Sequence, residues 1–298
     1  MGGSRFLTFE CRELNEKEIE YLSGHSSVVF MAEKTGGVLR PLPVSGNGYL
    51  PGDLPEVLKY KGKTSAVFTR MMINTALALS PFSHTVSPLV CLDPVCGKGT
   101  SCFCALLAGM NAVGIDMDHK AIREASDYFS RYLRFHRLKH ERNERSFTAD
   151  QRAVPVTEFV FADTKEHYQS GNTLSLKLAC ADTMDCSVLF RKEKAHIIVA
   201  DLPYGIQHAP RSGSSLDSLH HFLTRVLPAW KKALVPGGVI AVSFNTLTLP
   251  SKAVADAFDK CGFRMPVNPV FSDLRHEVEH AVVRDVVFAF NTKEESVI

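Results

Sequence analysis

The octapeptide Asp93-Pro94-Val95-Cys96-Gly97-Lys98-Gly99-Thr100 separates an apolar run from a run of small residues, the spacing of a strand, a tight turn and a helix. Glycines at 97 and 99 let the backbone pass close to a ligand, because no Cβ intervenes, and the helix start after Gly99 offers unpaired N–H groups to a carboxylate or phosphate. A dinucleotide fingerprint needs a third glycine where Cys102 stands. A phosphate-cradling P-loop needs Ser or Thr after the lysine, where Gly99 stands, and the alternative Gly62-Lys63-Thr64 has Val57 in place of the upstream glycine. Asp116 follows the glycines by roughly twenty residues, the spacing at which a carboxylate accepts hydrogen bonds from paired ribose hydroxyls. Asp182, after Ala179-Cys180-Ala181, is a candidate acceptor for an adenine amino group, and the three features in this order favour a nucleoside ligand.

The order of elements explains why these residues should share one rim. Leu89–Leu92 runs into Asp93, Ala112–Ile115 into Asp116, Leu174–Cys180 towards Asp182, and His196–Ala200 into Asp201. Helical stretches intervene: Ser65–Ser80, Cys102–Leu107 closed by Gly109, and 216–230, where Leu216, Leu219, Leu223, Val226, Leu227 and Trp230 recur at three- and four-residue intervals. A turn at Pro236-Gly237-Gly238 precedes a strand over Val239–Phe244, a helix over Ser251–Lys260, and strand-like runs over Phe263–Phe271 and Val282–Phe290. Alternation of this kind predicts a doubly wound α/β sheet that binds ligands at the carboxyl ends of its strands. Residues 1–62 read as a small α+β appendage with a polar helix near Leu14–Ser23, an apolar strand at Val28–Met31 and many turn residues, and 63–298 as the main domain.

Composition narrows the classes. The chain has 298 residues, 45% apolar and 22% charged, with a net charge of +2, so it is neither a disordered chain nor a uniformly cationic coat for nucleic acid. No apolar stretch is long enough to span a bilayer, and the first ten residues lack a basic segment followed by an apolar one, which predicts no membrane association and a cytoplasmic location. The eight cysteines form no C-x-x-C knuckle and read as reduced thiols. His276-Glu277-Val278-Glu279-His280 matches the zinc-protease pattern, but that chemistry needs a helix, and the β-favouring residues that follow predict a turn into the last strand and no metal. Positive charge concentrates in one insert, residues 131–173, where Arg131, Arg134, Arg137, Lys139, Arg142 and Arg145 form a candidate phosphate-contacting patch, against the plainer reading of a solvated helix end and loop.

A second motif, Ala200-Asp201-Leu202-Pro203-Tyr204-Gly205, ends the fourth apolar run. Together, Asp93–Thr100, Asp116, Asp182 and Asp201–Gly205 resemble the class I S-adenosylmethionine-dependent methyltransferases that modify exocyclic base amines. Within them the chain is most similar to the THUMP-associated RNA guanine-N2 group, where D-P-x-C-G-x-G-T and a D-L-P-Y/F-G or N-P-P-Y-G tetrad occur together; the resemblance covers about residues 65–290. It implies a Rossmann-like, seven-stranded, mostly parallel sheet, S-adenosyl-L-methionine as cofactor, and an RNA substrate such as tRNA or rRNA. The residues it points to for cofactor binding are Asp93, Pro94, Cys96, Gly97, Gly99 and Thr100 in the loop, Asp116 and Met117 after the second strand, Asp182 and Thr183 after the third, and Asp201. The catalytic group would be Asp201, Leu202, Pro203 and Tyr204. A conjugated exocyclic amine is a poor nucleophile, so the Asp201 carboxylate and the Leu202 carbonyl would hold its N–H bonds, Pro203 would fix the backbone and Tyr204 would stack on the base. Leu202 stands where the commoner tetrad has a proline, which keeps adenine N6 open beside guanine N2, and 62 residues are too few for a THUMP module with its usual companion domain. DNA adenine-N6 methylation and a catalytically silent nucleoside- or RNA-binding module are the alternatives.

Overall fold

The computed structural model describes residues 7–26, 28, 30–42, 49–58, 60, 63–85, 87–149, 151–189, 193–202, 215–271, 274–279 and 282–292. The chain divides into two compact units, Met1–Asn47 and Gly48–Ile298. In the smaller, helix α1 (Glu16–Ser23) starts at a capping box, the Asn15 side chain accepting from the Glu18 N–H while the Glu18 carboxylate accepts from the Asn15 N–H, each at 3.0 Å. Strands β1 (Ala32–Thr35) and β2 (Val38–Pro41) then pair around Gly36-Gly37. Val28, Phe30 and Met31 precede this hairpin outside any strand, contrary to the expectation for Val28–Met31, because the two glycines supply the left-handed turn that sets where pairing begins.

The larger unit contains α2 (Leu54–Val57), α3 (Ala66–Leu79), β3 (Val90–Asp93), α4 (Thr100–Leu107), β4 (Asn111–Asp116), α5 (His119–Phe135), β5 (Lys139–Ala149), β6 (Arg152–Ala162), α6 (Lys165–Ser170), β7 (Leu174–Cys180), α7 (Cys186–Leu189), β8 (Ala195–Asp201), α8 (Ser215–Ala233), β9 (Leu234–Asn245), α9 (Ser251–Lys260), β10 (Phe263–Arg264), β11 (His276–Glu279) and β12 (Val282–Asn291). One ten-stranded sheet runs β10-β12-β9-β8-β3-β4-β7-β6-β5, with β11 paired to β12. The central strands β7, β4, β3, β8 and β9 are parallel, and the strands outside them are antiparallel. Parallel neighbours need crossover helices, and these cover both faces, so the central strands are mostly apolar and buried. On one face α3, α4 and α5 pack Ile73, Phe103 and Phe129 against the sheet; on the other, α8 and α9 pack Trp230 and Phe258.

This is the Rossmann-like, doubly wound arrangement expected from the sequence, with ten strands in place of seven. The surplus comes from β5, β6 and β11. Residues 139–162, in the basic insert, form a long hairpin that adds two strands beyond β7; on β6 Val154, Val156, Phe159 and Phe161 are buried, and Glu158, on the same face as the valines, pairs with Arg145 and Lys177. Phe263–Phe271 shortens to the two residues of β10, since Pro266 and Pro269 have no N–H to continue a ladder. The Pro236-Gly237-Gly238 turn lies inside β9 as a bulge: Ala195 faces Leu234 while Ile197 faces Val239. Residues 49–58, read from sequence as part of the appendage, pack on the larger unit, where the Tyr132 hydroxyl lies 2.7 Å from an Asp53 carboxylate oxygen and 3.0 Å from the Pro51 carbonyl.

Candidate active site

Register places the acidic strand ends side by side. Asp93 lies beside Gly114 on β4, Asp116 beside Cys180 on β7, and Asp201 beside Ser243 on β9. The carboxyl rim of the sheet therefore carries the loop after β3 and all three strand-terminal aspartates, as the apolar runs predicted.

The glycine loop is held from both sides. Gly97 and Gly99 have φ of +52° and +84°, conformations that residues with a Cβ rarely adopt, and nothing lies within 4 Å of a Cβ built at Gly97, so its surface is open to a ligand. The Gly97 N–H donates to the Asp116 carboxylate at 2.7 Å, and the Cys96 N–H donates to the Ile115 carbonyl at 2.9 Å, tying the loop to the end of β4. The other Asp116 oxygen accepts from the Asp118 N–H at 2.8 Å. Each carboxylate oxygen keeps a second lone pair, which leaves acceptor capacity for a ribose. Asp93 is 4% exposed and points into the protein, accepting from the Val95 N–H at 3.0 Å and from the Ser101 hydroxyl. Burial pushes its carboxyl up to about 7, reinforced by the charges of Asp116 and Asp201 and opposed by those two hydrogen bonds. It braces the loop from beneath.

The remaining cofactor candidates divide in the same way. Met117 is 71% exposed at the rim. Asp182 caps a short turn, accepting from the Met184 N–H at 2.9 Å, and the buried Thr183 hydroxyl accepts from the Trp230 indole N–H at 2.8 Å. Asp118 caps α5 through the Lys120 and Ala121 amides.

Several rim residues carried no sequence signal because they lie far away along the chain. Tyr60 shares a 2.8 Å hydrogen bond with the Thr100 hydroxyl, and its ring lies 4.9 Å beneath the Lys98 ammonium, which pairs with Glu124 at 2.5 Å. The Asp201 carboxylate accepts from the hydroxyls of Thr64 and Ser243, and the Leu202 N–H donates to the Ser243 carbonyl at 2.9 Å. Arg284 on β12 reaches to 3.9 Å from Asp201. Thr64, the last residue of a triplet that fails the P-loop pattern, thus supplies one hydroxyl to the tetrad aspartate. Pro203 and Tyr204 lie outside the described residues.

The basic residues do not stay together. Helix α5 begins next to Asp116 at the rim and runs back for 17 residues, about 25 Å, so Arg131, Arg134, Arg137 and Lys139 stand towards the opposite end of the sheet. The hairpin then returns: Lys139 faces Ala162 at the far end, whereas Arg145 faces Val156, which faces Ala179 near the rim. Arg142 pairs with Glu144 at 2.9 Å and Asp127 at 3.7 Å, and Arg145 with Glu158 at 3.3 Å. At the hairpin tip Arg152 pairs with Asp185, just after Asp182, at 3.3 Å, and Phe147 is 40% exposed. The H-E-x-x-H stretch begins as strand β11, with the Glu277 position facing Val283, and a strand cannot place two histidines one helical turn apart; His280 lies outside the described residues. No helix among the described residues is long and apolar enough to cross a membrane.

No protein-family model matches the chain, and no curated protein sequence matches it. Solved structures with a similar course of chain include TrmN from Thermus thermophilus, at 17% identity and a TM-score of 0.44, covering 84% of this chain and 53% of that one. The rRNA methyltransferase AviRa from Streptomyces viridochromogenes is 14% identical with a TM-score of 0.45, covering 82% and 91%. NSun6 from Pyrococcus horikoshii, solved with SFG, is 13% identical with a TM-score of 0.47, covering 75% and 52%. The chain spans about half the length of TrmN and of NSun6. Fold class rests on the strand order itself: five parallel strands crossing over at β3, followed by a reversed strand β12 beside β9, as in Rossmann-like class I methyltransferases.

Proposed function

We propose that the chain is an S-adenosylmethionine-dependent methyltransferase acting on RNA, with an exocyclic base amine, guanine N2, as the acceptor. The observation that carries this reading is the joining of the open Gly97 turn to Asp116 through a 2.7 Å hydrogen bond, on the same rim as the Asp201-Leu202 strand end. That pairing offers a nucleoside two things at once: a carboxylate with remaining acceptor capacity, and a backbone surface with no side chain in the way. The start of α4 adds the partial positive charge of free N–H groups for the carboxylate of an amino-acid tail. When bound there, the cofactor supplies a sulfonium-activated methyl group.

The residues of the chain would then do the rest. Asp201 stands at the end of β8, where its carboxylate accepts from two hydroxyl donors, and it would accept one N–H of the amine. The Leu202 carbonyl accepts the second N–H, and holding both steers the nitrogen lone pair away from ring conjugation. Pro203 and Tyr204 would fix the backbone and stack on the base, as expected from the sequence.

Isothermal calorimetry with S-adenosylhomocysteine tests the cofactor half: binding by the wild type that Asp116→Ala removes supports it, and absence of wild-type binding ends the reading. Nucleoside mass spectrometry of RNA from a deletion strain tests the rest. One missing N2-methylguanosine is expected, and a methyl group lost from DNA adenine instead would reject the RNA assignment.

A further inference from the structure

We propose that Arg284 is a positioning residue for the transfer, holding the Asp201 carboxylate in the orientation that accepts the amine; the assignment rests on the methyltransferase reading above. Arg284 sits at the start of β12, paired in register with Asn245 at the end of β9. It is 5% exposed, with its guanidinium 3.9 Å from Asp201 and 4.7 Å from the centroid of the Phe68 ring on α3; that ring in turn meets the His276 ring at 5.1 Å.

Three physical points separate this from a structural arginine. First, a buried guanidinium paired with a half-buried carboxylate is weak evidence for stability, because apolar groups of similar volume often serve a core as well or better. Val286, two residues further along the same face of β12, is an apolar core residue, so the position next to Asp201 departs from its own strand's pattern. Second, the hydroxyls of Thr64 and Ser243 rotate and can find other acceptors, whereas a guanidinium is planar, permanently charged and here fixed against an aromatic face. Third, Asp201 shares the rim with Asp93 and Asp116, and a cation on the side of β12 draws its carboxylate away from them towards the reversed strand. Thr64 before α3, Ser243 on β9 and Arg284 on β12 converge on the Asp201 carboxylate.

Single-turnover transfer from S-adenosyl-[methyl-³H]methionine to RNA extracted from a deletion strain tests the proposal. Arg284→Met should lower the transfer rate about ten- to a hundredfold while the calorimetric affinity for S-adenosylhomocysteine and the apparent KM for RNA stay near wild type. Arg284→Lys should recover part of the rate. In an Asp201→Asn background, adding Arg284→Met should cost little further, since the group it positions is already altered. An unimpaired Arg284→Met, or losses that simply multiply in the double variant, overturn the assignment. Should Arg284→Met fail to fold, Phe68→Leu removes the aromatic support and leaves the ion pair; it should lose rate with cofactor affinity retained, and an unchanged rate counts against the proposal. A wild type that binds no S-adenosylhomocysteine removes the methyltransferase reading and this one with it. A wild type that binds and transfers, beside an unimpaired Arg284→Met, removes the arginine assignment alone.

Discussion

Two residues under the glycine loop set how tightly it can be built. Gly114 on β4 faces the loop from below, and a Cβ added there meets the Cys96 sulfur at 2.7 Å and the Cys102 sulfur at 2.9 Å. Neither sulfur has room to retreat in a packed core, so Gly114→Ala should destabilise the fold by about 1–3 kcal/mol in urea unfolding and weaken S-adenosylhomocysteine binding by displacing the loop. Asp93 gives a pH signature. Its folded carboxyl titrates at about 7, well above the ordinary 3.8, because burial penalises the charge. The neutral form is therefore favoured by folding: the stabilisation is complete below about pH 4 and is lost as pH rises through 7, amounting to on the order of 4 kcal/mol. Thermal melts of Asp93→Asn should lack that decline, so the difference between wild type and variant should change steadily across the interval. A difference independent of pH would show that Asp93 does not titrate there.

At the level of elements, the β5–β6 hairpin is the part of the basic insert that reaches the rim. Arg145 lies level with Ala179 near the end of β7 and Phe147 and Arg152 lie beyond it, while Arg131, Arg134, Arg137 and Lys139 stand towards the other end of the sheet. If RNA approaches the rim, Arg145→Ala with Phe147→Ala should weaken RNA binding several-fold in filter-binding titrations. Arg131→Ala with Lys139→Ala should change it little. The reverse order would place the RNA against the opposite end, away from Asp201. The edge strand β5 also carries alternating charges, among them Glu141, Arg142, Glu144 and Arg145, which keep an exposed edge from recruiting another strand.

For the molecule as a whole, every group assigned to the site comes from the unit beginning at Gly48, with Tyr60 the earliest and Arg284 the last. A chain lacking residues 1–47 should therefore bind S-adenosylhomocysteine as the full chain does. Saturating ligand should raise the unfolding free energy of both forms equally, by about 2.7 kcal/mol at a hundred times the Kd. A truncated chain that folds but no longer binds would mean that the smaller unit contributes to the site.

What the sequence determined by itself was local and periodic. Apolar runs ending in Asp93, Asp116 and Asp201, glycines at 97 and 99, and helical spacing from 216 to 230 are fixed by backbone sterics and by the burial of both faces of a parallel sheet, and both act over a few residues. The hairpin of residues 139–162 escaped that reading because β5 carries charges on both of its faces and the buried positions of β6, Val154, Val156, Phe159 and Phe161, break a two-residue spacing. The groups around Asp201 escaped for a different reason. Thr64, Ser243 and Arg284 stand 137, 42 and 83 positions away, and only strand order and register put them against one carboxylate. A hydroxyl or a guanidinium leaves no periodic trace of its partner. Which donors meet an acceptor is decided when the sheet closes its order and excludes water between β8, β9 and β12.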